Sequence, residues 1–167
     1  MNEKLEKFAA ECHSILKADP GPNGLEAVRG KLEPLLVDDD IIATYLGPDN
    51  DAARQILYED AELGFCILAH VYKGSNEAPP HDHGPCWAIY GQATGATEMT
   101  VYDKVGEPSG DEPGKAAPRE TYLLEPGMAV AYNIGDLHSP KRDGETRLIR
   151  MEGRNLDGVK RDKYQRA

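Results

Sequence analysis

The sequence is short of positive charge. Its 167 residues include 19 Lys and Arg against 29 Asp and Glu, which gives a formal net charge of −10 and a pI near 4.9. Nucleic acids and anionic membrane surfaces bind basic patches, so this balance argues against both as partners. The chain also lacks any apolar run of the roughly 20 residues that a membrane-spanning helix needs. A globular protein is expected, with 40% hydrophobic and 29% charged residues.

Cysteine is scarce as well, with three residues at widely separated positions, Cys12, Cys66 and Cys86. An odd number of scattered cysteines argues against a disulfide framework and favours a reducing compartment. The N-terminal stretch MNEKLEKFAAECHSILKA is charged and has helical periodicity, unlike a secretory signal peptide. We therefore predict a cytoplasmic protein, and we expect Cys86 to be a buried, unreactive thiol.

The length suits one domain, residues 1–167, in which the local pattern changes once. Residues 1–50 are predicted to be helical, with helices over about 1–18, 25–36 and 38–45 and a break rich in Pro and Gly at 19–24. Residues 55–153 hold short β-rich runs separated by Gly, Pro and Asp, which predict a sandwich or a small barrel. The predicted strands are 65–72, 87–90, 97–102, 121–124, 129–133 and 147–152. A polar loop is expected over 106–118, and residues 154–167 are expected to form a short helix or tail.

Two histidines stand one residue apart in the stretch PPHDHGPCWAIYGQ. If this stretch is a β-strand, His81 and His83 project from one face with Cα atoms roughly 6.6 Å apart, and Asp82 projects from the other. Two imidazoles at that spacing can converge on one metal ion. His138, in YNIGDLHSP late in the β-rich region, is the candidate third ligand. We predict that these three histidines hold one metal ion.

The spacing around the histidines resembles the two sequence motifs of the cupin superfamily. The stretches read His81-x-His83-x4-Ala88-x6-Gly95 and Gly127-x5-Asn133-x-Gly135-x2-His138. The family normally has Glu in place of Ala88 and Pro in place of Asn133. The resemblance covers residues 65–152 and implies a mainly β fold, a jelly-roll β-barrel with N-terminal helices, that holds one metal. It divides a single cupin domain into a helical part (1–50), a barrel (55–153) and a tail (154–167).

The absence of the motif Glu changes the expected chemistry. Three neutral imidazoles leave a divalent ion with its full +2 charge, whereas two histidines and a carboxylate would cancel one unit of it. A more positive ion favours direct binding of an anionic substrate such as a thiolate. The donor set does not choose the metal, because imidazole suits Zn, Ni, Cu and Fe alike.

With three histidines and no motif Glu, this chain resembles one group of cupins, the thiol dioxygenases, which include cysteine dioxygenase. This resemblance implies a mononuclear non-haem Fe(II) enzyme that uses O₂ to oxidise a small carboxylate-bearing thiol to a sulfinate. Arg54 occupies the place of that family's substrate-binding Arg, and its planar guanidinium would pair with a carboxylate. The alternative for Arg54 is an ordinary position on a helix surface. Tyr72 matches an aromatic position near the family's pocket.

Other positions depart from the thiol dioxygenases. Ala88 stands where the animal enzymes have the cysteine of a Cys–Tyr cross-link, so no such link can form there. The strand TRLIRME lacks the family's Ser-His-Tyr relay. Arg150 and Glu152 share one face of this strand and are predicted to pair inside or at the mouth of the barrel, where Arg150 could also hold an acidic group of the substrate. Tyr90 and Gln92 follow Ala88 at period two and should face the pocket, either binding substrate or filling the core.

Two further functions stay open at this point. The missing relay favours a metal-binding cupin sensor or binding module without oxygenase activity, and three-histidine sites also serve cupin dioxygenases that act on an enolate or diketone. The sequence leaves His70 as either a pocket residue or a hydrogen-bonded structural one, and it places His13 on the surface of the first helix. The expected partners are a small anionic substrate and O₂, and the chain could be a monomer or a homodimer.

Overall fold

A computed structural model describes all 167 residues, Met1–Ala167. The N-terminal part forms helices α1 (Glu3–Ala18), α2 (Pro22–Leu32) and α3 (Asp39–Tyr45), with a 3₁₀ helix over Glu33–Val37. The second helix was expected over 25–36, but it begins earlier, because proline is well tolerated in a first turn. It ends as an α-helix at Leu32, since Pro34 lacks the N–H that an α-helical interior needs. None of these helices combines the length and the hydropathy needed to span a bilayer.

Ten strands follow the helices and form two five-stranded sheets. In chain order they are β1 (Gln55–Glu59), β2 (Cys66–Tyr72), β3 (Asn76–Glu77), β4 (Ala88–Thr94), β5 (Thr97–Gly106), β6 (Gly114–Leu124), β7 (Ala129–Tyr132), β8 (Leu137–Arg142), β9 (Thr146–Glu152) and β10 (Tyr164–Arg166). The first sheet has the order β1-β2-β9-β4-β7 and the second the order β10-β6-β5-β8-β3. From β7 to β9 successive strands alternate between the sheets, and every pair but β10–β6 is antiparallel. This jelly-roll arrangement confirms the predicted fold class, a mainly β cupin-type barrel with N-terminal helices.

The helices cover the outer face of the first sheet. The largest hydrophobic cluster joins buried residues of the helices to Ile67 and Ala69 of β2 and to Phe65, which immediately precedes this strand. Gly91 in β4 is the point of closest approach, because a Cβ built there would lie 2.7 Å from Leu36 and 2.9 Å from Leu32. Since side chains alternate along β2, its other residues, His70 among them, face the interior of the barrel.

Parts of the strand pattern differ from the sequence prediction. The loop expected over 106–118 spans only 107–113, because β5 and β6 extend into it as a long hairpin. Residues 154–167 contain no helix; their last residues form β10, which pairs in parallel with the start of β6. Strands β1, β3 and β8 were not predicted. β3 has two residues, and β8 (LHSPKR) is polar and contains a proline, so neither has a β-type apolar pattern.

A buried carboxylate ties the first helix to the barrel. Asp60 is 4% exposed and accepts hydrogen bonds from the backbone N–H of Leu63, from Tyr58 and from the ring of His13. His13 was expected at the helix surface; it is partly exposed, and its Nδ1 lies 2.8 Å from Asp60. Burial alone would raise the pKa of Asp60, but these hydrogen bonds outweigh it and lower the pKa to about 2.

Asp60→Asn is therefore expected to lower the free energy of unfolding by about 2 kcal/mol at neutral pH, because charged hydrogen bonds are lost. The depressed pKa stabilises the fold above the unfolded value near 3.9, and this contribution disappears as the pH falls towards 2. Chemical denaturation between pH 2 and 7 would measure both effects. Between pH 4 and pH 2 the free energy of unfolding should fall less steeply for this variant than for the wild type. Asp103→Asn, at an exposed ion pair with Arg119, should leave this pH dependence unchanged.

Candidate metal centre

Two of the three predicted ligands are brought together by a backbone bridge. The N–H of His81 donates to the carbonyl of His138 at 2.9 Å, and the N–H of His138 donates back to the carbonyl of His81 at 2.9 Å. Residues opposed in this way on antiparallel strands project their side chains to the same side. The two rings accordingly lie 4.7 Å apart between centroids.

The third histidine reaches the same point from a turn. The sequence suggested a regular strand through 81–83, but only His81 takes part in a bridge. Beyond it the chain turns, with the Asp82 carboxylate accepting from the N–H of Gly84 and the carbonyl of His83 accepting from Cys86. This turn places the His83 ring parallel to that of His138, with centroids 5.1 Å apart.

Hydrogen bonds define the orientation of the imidazoles. Nδ1 of His81 donates to the carbonyl of Pro79 at 2.9 Å, and Nδ1 of His138 donates to the carbonyl of Asp136 at 2.9 Å. A donating Nδ1–H leaves the lone pair on Nε2, which points inward in both rings. One ring nitrogen from each of the three histidines lies within 4.8 Å of those of the other two, and the Nε2 atoms of His83 and His138 are 3.1 Å apart.

Burial keeps these rings uncharged at neutral pH. It lowers the pKa of His81 to about 4 and holds the pKa of His83 and of His138 well below its usual range. The nearby positive charge of Arg150 acts in the same direction on all three. Neutral imidazole is the form that binds metals, so protons compete little for these nitrogens near pH 7.

The arrangement fits a divalent transition metal. Convergent lone pairs repel one another unless a cation or a donor lies between them, and an N₃ set of imidazoles suits Fe, Zn, Ni or Cu. The structure therefore brings the three predicted ligands together in a geometry that favours metal binding.

Tyr90, predicted to bind substrate or fill the core, lies at the centre of the cluster. It is 1% exposed, and its hydroxyl oxygen lies within 3.3 Å of the Nε2 atom of each histidine. Gln92 lies two residues further along β4. Its side chain hydrogen-bonds Thr94 and Thr97, which is a structural role.

The predicted pair of Arg150 and Glu152 is confirmed. Both side chains are largely buried, with Nη1 of Arg150 3.4 Å from Oε1 of Glu152. Nη2 of Arg150 donates to the hydroxyl of Tyr72 at 3.2 Å, and its guanidinium lies 4.6 Å from the centre of the Tyr90 ring. Arg150 thus lies beside Tyr90, and Tyr72 lies beside Arg150. The assignment of both to substrate binding stays a prediction.

Arg54 lies at the edge of the barrel, immediately before β1 and not on a helix. Its guanidinium contacts Glu152 at 3.4 Å, Asp157 at 3.0 Å and Asn155 at 3.4 Å. These acceptors belong to the chain itself and compete with any substrate carboxylate. The assignment of Arg54 to substrate binding stays a prediction.

Sequence reasoning missed Arg142, which lies at the end of β8. It is 3% exposed and bonds Asn76 and Thr97 at 3.1 Å, both neutral groups, while its Nη2 is buried without a partner. Its guanidinium lies 4.3 Å from the centre of the Tyr72 ring. Its position could have been predicted from the sequence, because Arg142 follows His138 by four residues and the two therefore share the inward face of one strand.

His70 and the cysteines lie outside the metal-ligand cluster. Nδ1 of His70 bonds the carbonyl of Ala53 at 2.8 Å, and its buried Nε2 has no partner. All three cysteines are free and buried, and burial raises the pKa of Cys12 to about 12 and of Cys66 to about 11. Burial also raises the pKa of Cys86, as expected for an unreactive thiol.

An open cavity of about 560 Å³ lies beside His81, which is one of its lining residues. The prolines around His81 line one side of it, and residues 161–165 of the C-terminal segment line the other. Arg161 fastens this segment to the histidine turn by donating to the carbonyl of Asp82 at 3.2 Å. The C-terminal residues therefore line a cavity next to His81.

No protein-family model matches the chain, and no curated protein matches it. Among solved structures it is similar to KdgF from Halomonas sp., with 16% identity, a TM-score of 0.46 and coverage of 64% of this chain and 82% of that one. A cupin superfamily protein from Desulfitobacterium hafniense has 11% identity, a TM-score of 0.45 and coverage of 65% and 83%. A cupin-2 domain protein from Shewanella frigidimarina has 12% identity, a TM-score of 0.46 and coverage of 72% and 96%. The fold class rests on the chain's own topology.

Proposed function

We propose that the protein is a mononuclear non-haem Fe(II) dioxygenase that oxidises a small carboxylate-bearing thiol to a sulfinate. The observation that carries the proposal is a cluster of neutral histidines beside buried arginines that outnumber their carboxylate partners. The reaction is balanced as RSH + O₂ → RSO₂⁻ + H⁺, with both oxygen atoms of O₂ ending on sulfur. An Fe(II) ion held by His81, His83 and His138 would supply the redox-active Lewis acid that this step needs.

The charge of the barrel interior supports an anionic substrate. Arg150 is paired with Glu152, but Arg142 is held only by neutral groups and has an unpaired nitrogen. A buried guanidinium without a counter-ion is costly, and a bidentate carboxylate would satisfy it. The overall charge of −10 does not oppose this, because the local field decides what enters a pocket.

The aromatic residues connect this positive region to the histidines. The Tyr72 ring lies under Arg142, and its hydroxyl accepts from Arg150, which in turn lies over Tyr90. We assign Arg142, assisted by Arg150 and Tyr72, to binding the carboxylate. The thiol would then be directed towards the histidine cluster.

Oxygen uptake by the Fe(II)-loaded protein tests the proposal, with acidic thiols, uncharged thiols and enolates as substrates. Arg142→Met is expected to raise KM for an acidic thiol about 10- to 100-fold, because a charged hydrogen-bonded pair contributes roughly 1.5–3 kcal/mol. It should change KM for an uncharged thiol much less. Arg119→Met, which removes an exposed arginine paired with Asp103, serves as the matched control and should change neither.

Equal effects of Arg142→Met on both kinds of thiol would remove Arg142 from the substrate site. Uptake with enolates alone would identify the enolate dioxygenase. A metal-loaded protein that consumes no O₂ with any of these compounds would instead be a binding or sensor module, the function that the missing relay favours.

A further inference from the structure

The hydroxyl of Tyr90 lies within hydrogen-bond distance of all three imidazoles. Its oxygen is 3.3 Å from Nε2 of His81, 3.0 Å from Nε2 of His83 and 3.3 Å from Nε2 of His138. A phenol has one proton and can donate it to one acceptor. Since the Nδ1 atoms of His81 and His138 donate to carbonyls, both of their Nε2 lone pairs face this oxygen, and at most one of them can receive its proton.

Four of the six separations among these atoms match those of a ligand set, and the ligand nitrogens of His81, His83 and His138 all lie within 4.8 Å of one another. Atoms bound tetrahedrally at about 2.0–2.1 Å from a metal lie roughly 3.3–3.4 Å from one another, and neighbouring octahedral ligands lie roughly 2.8–3.0 Å apart. The contacts of Tyr90, and the 3.1 Å between Nε2 of His83 and Nε2 of His138, fall within this span. We propose that Tyr90 is the fourth protein ligand of the metal, bound through its deprotonated phenol oxygen; this inference rests on the metal centre of the proposed function.

The sequence context is consistent with an anionic ligand at this position. Ala88 has only a methyl group where the cupin motif would have a carboxylate, and it is fully buried. Tyr90 follows it by two residues on β4, so both side chains face the barrel interior, where they lie in the same buried cluster. A phenolate from Tyr90 would supply the negative charge that the side chain of Ala88 cannot.

Burial raises the pKa of the Tyr90 phenol, so loss of its proton requires the metal itself, and the nearby charge of Arg150 acts in the same direction as the metal. Its guanidinium lies 4.6 Å from the centre of the Tyr90 ring, and a cation over an aromatic ring favours negative charge on it. Coordination exchanges the phenol proton for the metal and releases that proton to solvent, with no change in oxidation state. The centre then has a net charge of +1 instead of the +2 expected from the three histidines alone, and fewer positions are left for reactants.

The test is the optical and resonance Raman spectrum of protein loaded with Fe(II) and then oxidised to Fe(III) with ferricyanide. A tyrosinate ligand gives a visible charge-transfer band whose Raman excitation enhances tyrosine ring vibrations. We expect that band in the wild type, with vibrations that shift when the protein is grown on ring-deuterated tyrosine. Tyr90→Phe should lose it, retain the fold by circular dichroism, and bind Fe(II) at least 10-fold more weakly in competition with a chelator.

Tyr132→Phe is the matched control, because the Tyr132 ring stacks on His138 at 3.9 Å while its hydroxyl bonds Tyr122. This variant should retain the band. One equivalent of bound iron without a tyrosinate band in the wild type, or a band that persists in Tyr90→Phe, would overturn the inference and leave the three-histidine centre standing. Failure of the wild type to bind any metal would overturn both.

Discussion

Replacing His81 and His138 together with alanine is expected to reduce bound metal from one equivalent to none. Their rings are held by separate carbonyl bonds and joined by the backbone bridge, so each contributes an oriented lone pair. With both removed, His83 and Tyr90 are the only remaining donors, which is too few for a stable site on a divalent transition metal. Elemental analysis after dialysis against a weak chelator would measure the loss.

His13→Gln is the matched control for this double variant, because His13 lies outside the barrel against Asp60. It should retain one equivalent of metal. Circular dichroism should show that the double variant keeps its β-structure, since the bridge uses backbone groups only. Tight, stoichiometric metal in the folded double variant would show that the ion is bound elsewhere.

Arg150→Met is expected to lower the free energy of unfolding by about 3–5 kcal/mol, the usual cost of removing one partner from a buried ion pair. Glu152 would then keep the contact with the partly exposed Arg54 at 3.4 Å and lie 4.0 Å from Nδ1 of the uncharged His83. Adding Glu152→Gln should recover part of the loss, because the amide carries no charge that needs a partner. Urea denaturation of the single and double variants measures both steps.

The exposed pair of Arg119 and Asp103 supplies the comparison for that experiment. Both of its side chains are 58% exposed, and Arg119→Met should change stability by less than about 0.5 kcal/mol. A similarly small effect of Arg150→Met, or a double variant less stable than the single one, would contradict a buried, charge-compensated pair in the barrel.

The parts of the fold that the sequence could predict share a strong periodic signal. In β2 the apolar residues Ile67, Ala69 and Val71 recur at every second position, and in the first helix the buried residues recur at helical spacing. β8 and β10 lack such a signal, because one is polar with an internal proline and the other is a three-residue strand at the end of an irregular segment. Their existence depends on pairing with β5 and β6, which local sequence does not encode.

The residues of the candidate site also differ in how well the sequence predicts them. The three histidines could be predicted, because motif spacing constrains which residues can meet across a barrel. Tyr90 was placed on the correct face by alternation, but only the three-dimensional structure puts its oxygen between the imidazoles. Arg142 was missed because a positive charge on a strand ordinarily indicates a solvent-facing position, and its burial is a property of the assembled barrel.

X-ray absorption spectroscopy of the metal-loaded wild-type protein tests the central claim most directly, because it counts histidine ligands without any substitution. The expected spectrum has nitrogen and oxygen neighbours at about 2.0–2.2 Å from the metal, with the outer-shell scattering of three imidazole rings. A coordination shell of oxygen atoms alone, without imidazole scattering, would contradict a metal centre built from His81, His83 and His138.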